Sequence, residues 1–309
     1  MTMEKFEPGI LPLIARNLDK TDHFIERIRA GGCHAGGVEE QLAIVSSHPF
    51  IQGKVDEALN NLGTDAVSAG IRPLSHYLSS YAAPEIHDDC LEPAKYDVET
   101  VANQACATRH WLSETFDKLN QLLRTIVYVA AQPQPLRTID WGEEIRRIQG
   151  AIRSGTVKNL DLELCTAAQL NDLHYAVSRY LPEALHFSGH AVPEGIYLRD
   201  ARGNPFLLAM EHICGIIEAG HAHLQCVVLN ACYTDAAAAH IAGHAPLVIG
   251  TSAEIHDSTS IRFSESFYQH VALGYDYRAS YAAARRFLLA ARDPCATMLT
   301  CHPPLTDEV

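Results

Sequence analysis

Two apolar runs each end in a residue able to do acyl-transfer chemistry: Leu185-His186-Phe187-Ser188-Gly189-His190 and Val227-Val228-Leu229-Asn230-Ala231-Cys232. A thiolate can attack a carbonyl carbon, and an imidazole can take the thiol's proton and return it to a leaving amine. Both runs read as buried strands, so two strands of one sheet can bring the two groups together. His190 and Cys232 are therefore the candidate proton carrier and nucleophile. Cys226, inside the second run, reads as a core residue, since a cysteine away from such a motif is usually a small buried hydrophobe. His186, inside the first, reads as a buried, hydrogen-bonded structural histidine.

The elements that must position this pair are legible in the texture of the chain. From Ile126 onward, strands alternate with helices, the pattern of a mostly parallel sheet flanked by helices. Strands are expected at 126–131, 160–164, 184–188, 225–230 and 247–250, with a small hairpin at 195–204. Helices are expected over the Trp141, Ile145, Ile148 and Ile152 stripe, after Thr166 as a cap, at 206–219, in the alanine-rich stretch at 235–240, from an Asp257 cap, and at 277–291. In open α/β sheets ligands sit beyond the carboxyl ends of the strands. His190 and Cys232 both fall there. A helix starting just after Cys232 would favour its thiolate through the helix dipole.

Residues 1–122 read as helices only. Thr21 looks like a cap opening a helix, with Val38, Leu42 and Val45 and then Ile51, Val55, Leu59 and Leu62 at helical spacing. Pro73, Pro84 and Pro93 punctuate the next stretch, and Val101 to Arg124 reads as one long helix. The expected division is a helical region at 1–122, an α/β domain at 123–292 and a tail at 293–309. The helical region is either an extension packed on the α/β domain or a module that recruits or senses a partner.

Composition excludes several classes. The chain has 309 residues, is 47% hydrophobic and carries a formal charge of −13. That length can bury one sizeable core and a smaller second one. The acidic balance argues against nucleic acid as a partner, because phosphate contacts need a basic surface. No apolar run of about 18 uncharged residues is present, so no membrane span is expected. Met1 to Pro8 lacks the basic and apolar regions of a secretory leader. The nine cysteines are irregularly spaced, as reduced thiols of a cytoplasmic protein would be.

Neither GxxxxGK[ST] nor GxGxxG is present, and no Gly-x-Ser-x-Gly elbow. His240 and His244 share one helix face but lack a zincin glutamate, and His221-Ala222-His223 reads as an exposed loop. Neither a metal nor a cofactor is expected. Glu143 and Glu144 read as first-turn carboxylates facing a helix N-terminus.

The words around the reactive pair resemble the CHAT branch of the caspase-like (clan CD) cysteine peptidases. The resemblance runs through His186 to His190, Gly195-Ile196-Tyr197-Leu198-Arg199-Asp200, Leu229-Asn230-Ala231-Cys232-Tyr233-Thr234, Val248-Ile249-Gly250-Thr251, His256-Asp257-Ser258, Phe263 to Tyr268 and Leu273-Gly274. It extends over roughly residues 125 to 292. It implies a caspase-like fold and cleavage of a protein substrate through His190 and Cys232. The backbone N–H groups of Cys232 and Ala191 would form the oxyanion hole.

The family usually has glycine after the histidine. Alanine keeps the N–H, but costs about 1 kcal/mol if the turn needs positive φ. Asp257 falls where the family places an aspartate near the substrate-binding edge, which would favour a basic side chain before the scissile bond. Glu143 and Glu144 match acidic positions in related chains. The resemblance further implies limited cuts in a partner, in bacterial defence or regulated cell death, a gasdermin-like pore former being one target class. A catalytically silent scaffold of the same shape is the alternative.

Overall fold

The computed structural model describes residues 10–29, 48–64, 68–80, 98–136, 140–220 and 223–305. The chain divides into two compact units, residues 1–123 and 124–309. The apolar spacing at Val38, Leu42 and Val45, the prolines at 84 and 93, and His221 lie outside the described residues.

In the first unit, helices α1 (Ile10–Arg29), α2 (His48–Asn61), α3 (Leu74–Ser80) and α4 (Val98–Leu122) are described. Leu11, Ile14, Leu18 and Ile25 form the buried stripe of α1, and Ile51, Val55 and Leu59 that of α2. Trp111 of α4 is fully buried and its indole N–H donates to the Arg72 carbonyl at 3.1 Å. The expected cap at Thr21 is corrected: Thr21 lies deep inside α1. Its hydroxyl donates to the Asn17 carbonyl one turn back at 2.7 Å, a bond that lets threonine sit buried in mid-helix.

The second unit is built on a six-stranded sheet in the order β2-β1-β3-β7-β8-β9. Its strands are β1 (Arg124–Ala130), β2 (Leu160–Thr166), β3 (Ala184–Ser188), β7 (Cys226–Asn230), β8 (Leu247–Thr251) and β9 (Leu299–His302). All pairings are parallel except that of β8 with β9. A second sheet of β4 (Ala191–Val192), β5 (Gly195–Arg199) and β6 (Pro205–Ala209) is antiparallel. The helices are α5 (Trp141–Ser154), α6 (Leu170–Tyr180), α7 (Met210–Gly220), α8 (Asp235–Ile241), α9 (Asp257–Ala272) and α10 (Tyr277–Ala290). The expected mostly parallel sheet flanked by helices, with a helical N-terminal region, is what the chain forms.

Every side chain of β3, β7 and β8 is buried, as strands covered on both faces must be. Successive residues point to opposite faces. On β3 this sends His186 and Ser188 toward α5 and α9, where they meet Glu144 and Tyr268. On β7 it sends Asn230 the same way, toward Glu144 and Ser264.

Four local expectations are corrected. Phe206 to Ala209 is strand, not helix, because β5 pairs with it from Gly195↔Ala209 to Arg199↔Pro205; the helix starts at Met210. Thr166 ends β2 rather than capping α6, whose start is closed by Gln169 and Asp172 in a reciprocal capping box. Asp257 is the first residue of α9 and His256 is its N-cap.

The fourth correction concerns the segment set apart as a tail. Leu299 to His302 form the antiparallel edge strand of the main sheet. Asp293 is held to α9 by the Thr259 hydroxyl at 2.8 Å and the Arg262 guanidinium at 3.0 Å. The two prolines at 303 and 304 mark the end of that strand rather than an extended tail, since proline cannot continue a ladder.

Candidate active site

His190 follows β3 directly after Gly189, and Cys232 follows β7 after Ala231. The two strands are neighbours, in parallel register with Ser188 opposite Asn230. Both residues therefore emerge from the same edge of the sheet. They line one cleft of about 120 Å³, together with Glu144, Asn230, Glu254, Ile255 and Asp257. His190 and Cys232 are half-buried, so each is supported by protein on one side and open to a reactant on the other.

Backbone detail fixes each of them. A Cβ on Gly189 would come within 2.7 Å of the Phe187 ring and 3.0 Å of the Ala131 carbonyl. Only glycine allows the chain to pass there and present His190. The His190 carbonyl then accepts the Tyr197 N–H at 2.9 Å, tying it to β5.

On the other side, Tyr233 takes the left-handed conformation with φ 56°. That turn reverses the chain straight after Cys232 so that α8 can start two residues on. The Thr234 hydroxyl lies 3.0 and 3.1 Å from the Leu229 and Ala231 carbonyls and accepts the Thr251 N–H at 3.0 Å. The Thr251 hydroxyl donates to the Ala231 carbonyl at 2.6 Å. The Cys232 loop is thus pinned to β8 from both ends, and its Sγ lies 4.0 Å from the Ile255 carbonyl oxygen.

Ala191, the candidate second oxyanion donor, opens β4 opposite Ile196. It is not among the non-glycine residues with positive φ, so alanine in place of glycine causes no left-handed strain here. Asp257 lines the cleft from the first turn of α9, and the exposed Glu254 lies on the loop before it.

Sequence reasoning missed the role of Glu144. Glu143 is the first-turn carboxylate it was expected to be, half-buried, with Arg146 and then Arg147 holding its carboxyl down to about 2. Glu144 instead turns inward and is 1% exposed. Its Oε2 accepts the Tyr128 and Ser188 hydroxyls, each at 2.7 Å. Its Oε1 accepts the Asn230 amide at 2.5 Å and the Ser264 hydroxyl at 2.6 Å. The His186 Nε2 lies 3.2 Å from the same oxygen, an electrostatic approach without hydrogen-bond alignment.

Burial drives the Glu144 carboxyl upward, yet His186 beside it and the Ser264 and Tyr128 hydroxyls outweigh that and hold it down to about 2. It is therefore an ionised group at neutral pH. His186 is fully buried between the Tyr128 and Tyr268 rings, with its Nδ1 3.1 Å from the Tyr268 hydroxyl, which is the structural role expected of it. Cys226 is fully buried, and burial pushes its thiol far up.

The sequence profile of the CHAT domain matches residues 102–299, more than half of the chain. The protein belongs to the CHAT-domain family. The match starts within α4, ahead of residue 125 where the resemblance read from the motifs begins. The chain is 23% identical over 186 residues to a Roc-COR-CHAT protease from an unknown prokaryotic organism, covering 56% of this chain and 18% of that protein. It is 23% identical over 163 residues to a probable protease from Gillisia limnaea, covering 52% of this chain and 29% of that one. The chain thus spans less than a third of the length of either relative. Among solved structures, it is similar to a secreted C11 cysteine protease from Bacteroides thetaiotaomicron in complex with an irreversible peptide inhibitor. That superposition has a TM-score of 0.44 at 13% identity and covers 55% of this chain and 59% of that one.

Proposed function

We propose that this chain is a cysteine endopeptidase acting through His190 and Cys232. The observation that supports it most is the arrival of both residues, from adjacent parallel strands in register, at one cleft. His190 takes the Cys232 proton as the thiolate attacks the scissile carbonyl carbon. The resulting oxyanion is held by the backbone N–H groups of Cys232 and Ala191. Collapse breaks the C–N bond, the His190 imidazolium protonates the leaving amine, and a thioester remains. Water, deprotonated by His190, then attacks the thioester and returns the thiol. The extended backbone at Ala191 supports this reading over a silent scaffold, because it removes the strain that alone favoured the scaffold.

The Asp257 and Glu254 carboxylates at the cleft favour arginine or lysine before the scissile bond. The CHAT-domain match and the two protease relatives support a protein substrate, and limited cuts in a partner are part of this proposal. Bacterial defence or regulated cell death, with a gasdermin-like pore former as target, is the setting this reading favours. The protein would act in the cytoplasm, with residues 1–122 as the region that meets a partner or sensor and 124–309, which include the edge strand β9, as the peptidase domain.

Fluorogenic peptides ending in arginine, lysine, aspartate or leucine before the reporter test the proposal, alongside alkylation of the thiols. Wild-type protein should cleave the basic peptides, and Cys232→Ala should lose at least about 10³-fold. Asp257→Asn should weaken the preference for basic over leucine peptides. Absence of cleavage, together with a Cys232 that alkylates no faster than Cys226, would rule the enzyme out.

A further inference from the structure

Glu144 is buried, ionised and unused in the chemistry proposed above, yet it touches both strands that carry the reactive residues. Ser188 and Asn230 are register partners across β3 and β7. Each donates a hydrogen bond to a different oxygen of the Glu144 carboxylate, at 2.7 and 2.5 Å. Each stands two residues ahead of a reactive group: Ser188 before His190, Asn230 before Cys232. Tyr128 on β1 and Ser264 on α9 occupy the remaining acceptor sites, so the carboxylate has little freedom to move. One side chain of α5 thus clamps the ends of three adjacent strands and a helix where the cleft begins, and Glu144, Ser188 and Asn230 all line that cleft.

We infer that Glu144 is the positioning residue of this site, setting the distance between His190 and Cys232 by tying Ser188 and Asn230 to one carboxylate. The inference rests on the assignment of His190 and Cys232 as the reacting pair. A fully hydrogen-bonded buried network is rigid, and reacting groups need support of this kind to hold their geometry. Displacements of about 1 Å by residues remote from the bond being broken cost on the order of 100-fold in rate. Glu144 itself does not touch the reacting atoms; it acts through the two strand ends.

The test is the pH dependence of Cys232 alkylation by iodoacetamide, followed by peptide mass in wild type, His190→Ala, Glu144→Gln and Ser188→Ala. Titratable groups around the clamp are Tyr128 on β1, His186 on β3 and Tyr268 on α9, while His190, Glu254 and Asp257 face Cys232 across the cleft. If the clamp sets the pair, Glu144→Gln and Ser188→Ala loosen it. The pH profile of Cys232 alkylation then moves toward that of His190→Ala, with a roughly tenfold slower reaction at pH 7. Through-space loss of a negative charge would instead lower the midpoint, because it favours the thiolate.

Asp276→Ala, which removes the α10 cap far along the chain, serves as a destabilised control and should leave the profile in place. If Glu144→Gln fails to fold, Ser188→Ala decides the matter, since it removes one donor and no charge. Folded variants whose profile stays with wild type or whose midpoint falls, beside a shifted His190→Ala, would overturn the positioning role. A His190→Ala profile equal to wild type would instead remove the pairing on which the inference stands.

Discussion

Ser188 and Asn230 sit opposite each other on β3 and β7, the only polar residues besides His186 in two otherwise apolar strands. Unpaired, they would cost the sheet the desolvation of a hydroxyl and an amide. Both are satisfied by a carboxylate from α5. The chain therefore maintains a buried charge beneath its candidate site, and the consequences of that choice can be measured.

The first concerns acid stability. The Glu144 carboxyl is held at about 2 in the folded protein, below the ordinary 4.5. Between those values the unfolded chain binds a proton that the folded chain does not. This contribution is therefore complete above pH 4.5 and is lost as pH falls toward 2. Urea midpoints at pH 6, 4 and 3 should fall steeply for wild type and less steeply for Glu144→Gln. Parallel profiles would show that the Glu144 carboxyl titrates alike in the folded and unfolded chain, and a wild type that gains on Glu144→Gln as pH falls would show that folding protonates it.

Glu144 also shows where sequence reading stops. Its neighbour Glu143 behaves as a first-turn carboxylate should, and the two are indistinguishable by composition. The distinguishing signal was phase: Glu144 is four residues before Ile148 and seven before Ala151, all on the buried stripe of α5. A carboxylate in phase with a core stripe needs buried donors, and Ser188 and Asn230 were already visible at the ends of apolar runs. The His190 and Cys232 positions were legible because strand ends and parallel topology follow from local apolar pattern. By contrast, Phe206 to Ala209 was misread because only its pairing with β5 makes it a strand, and pairing across a turn is tertiary information. The edge strand β9 was hidden for the same reason.

Gly189→Ala should be costly. The added methyl would meet the Phe187 ring at 2.7 Å and the Ala131 carbonyl at 3.0 Å, and the ring can yield but the carbonyl belongs to the sheet edge. A loss of roughly 1–3 kcal/mol is expected for overpacking of this kind, with His190 displaced. Chemical denaturation together with peptide cleavage would check it. A variant as stable and active as wild type would mean that the β3 end is pliable.

Thiol reactivity should sort the cysteines sharply. Cys165 is pushed up to about 12 by burial and by Asp172 and Glu163 nearby, and Cys226 is pushed further still by full burial. At pH 7.5 in native buffer, iodoacetamide should modify Cys232 well before either of them, with Cys165 and Cys226 catching up only after unfolding. Peptide mapping over time reads the order directly. Equal and fast rates for Cys226 and Cys232 would mean that the native sheet opens on the time scale of the reaction, and equal and slow rates that Cys232 is not a reactive thiol.

Removal of residues 299–309 should unfold the second unit rather than trim it. Leu299 and Cys301 are buried on β9, and the Leu299 carbonyl accepts the buried Tyr281 hydroxyl at 3.0 Å. His302 pairs with Asp235 at 2.8 Å, which is the first cause of that carboxyl's lowered pKa and secures the first turn of α8 behind Cys232. Without β9, the fully apolar segment Leu247-Val248-Ile249 of β8 would become an exposed edge, a template for pairing with other chains. The lost burial alone is worth about 3 kcal/mol. The truncated chain should therefore aggregate or melt well below the full one, as light scattering and thermal circular dichroism would show. A soluble, equally stable truncation would mean that the sheet is complete at β8.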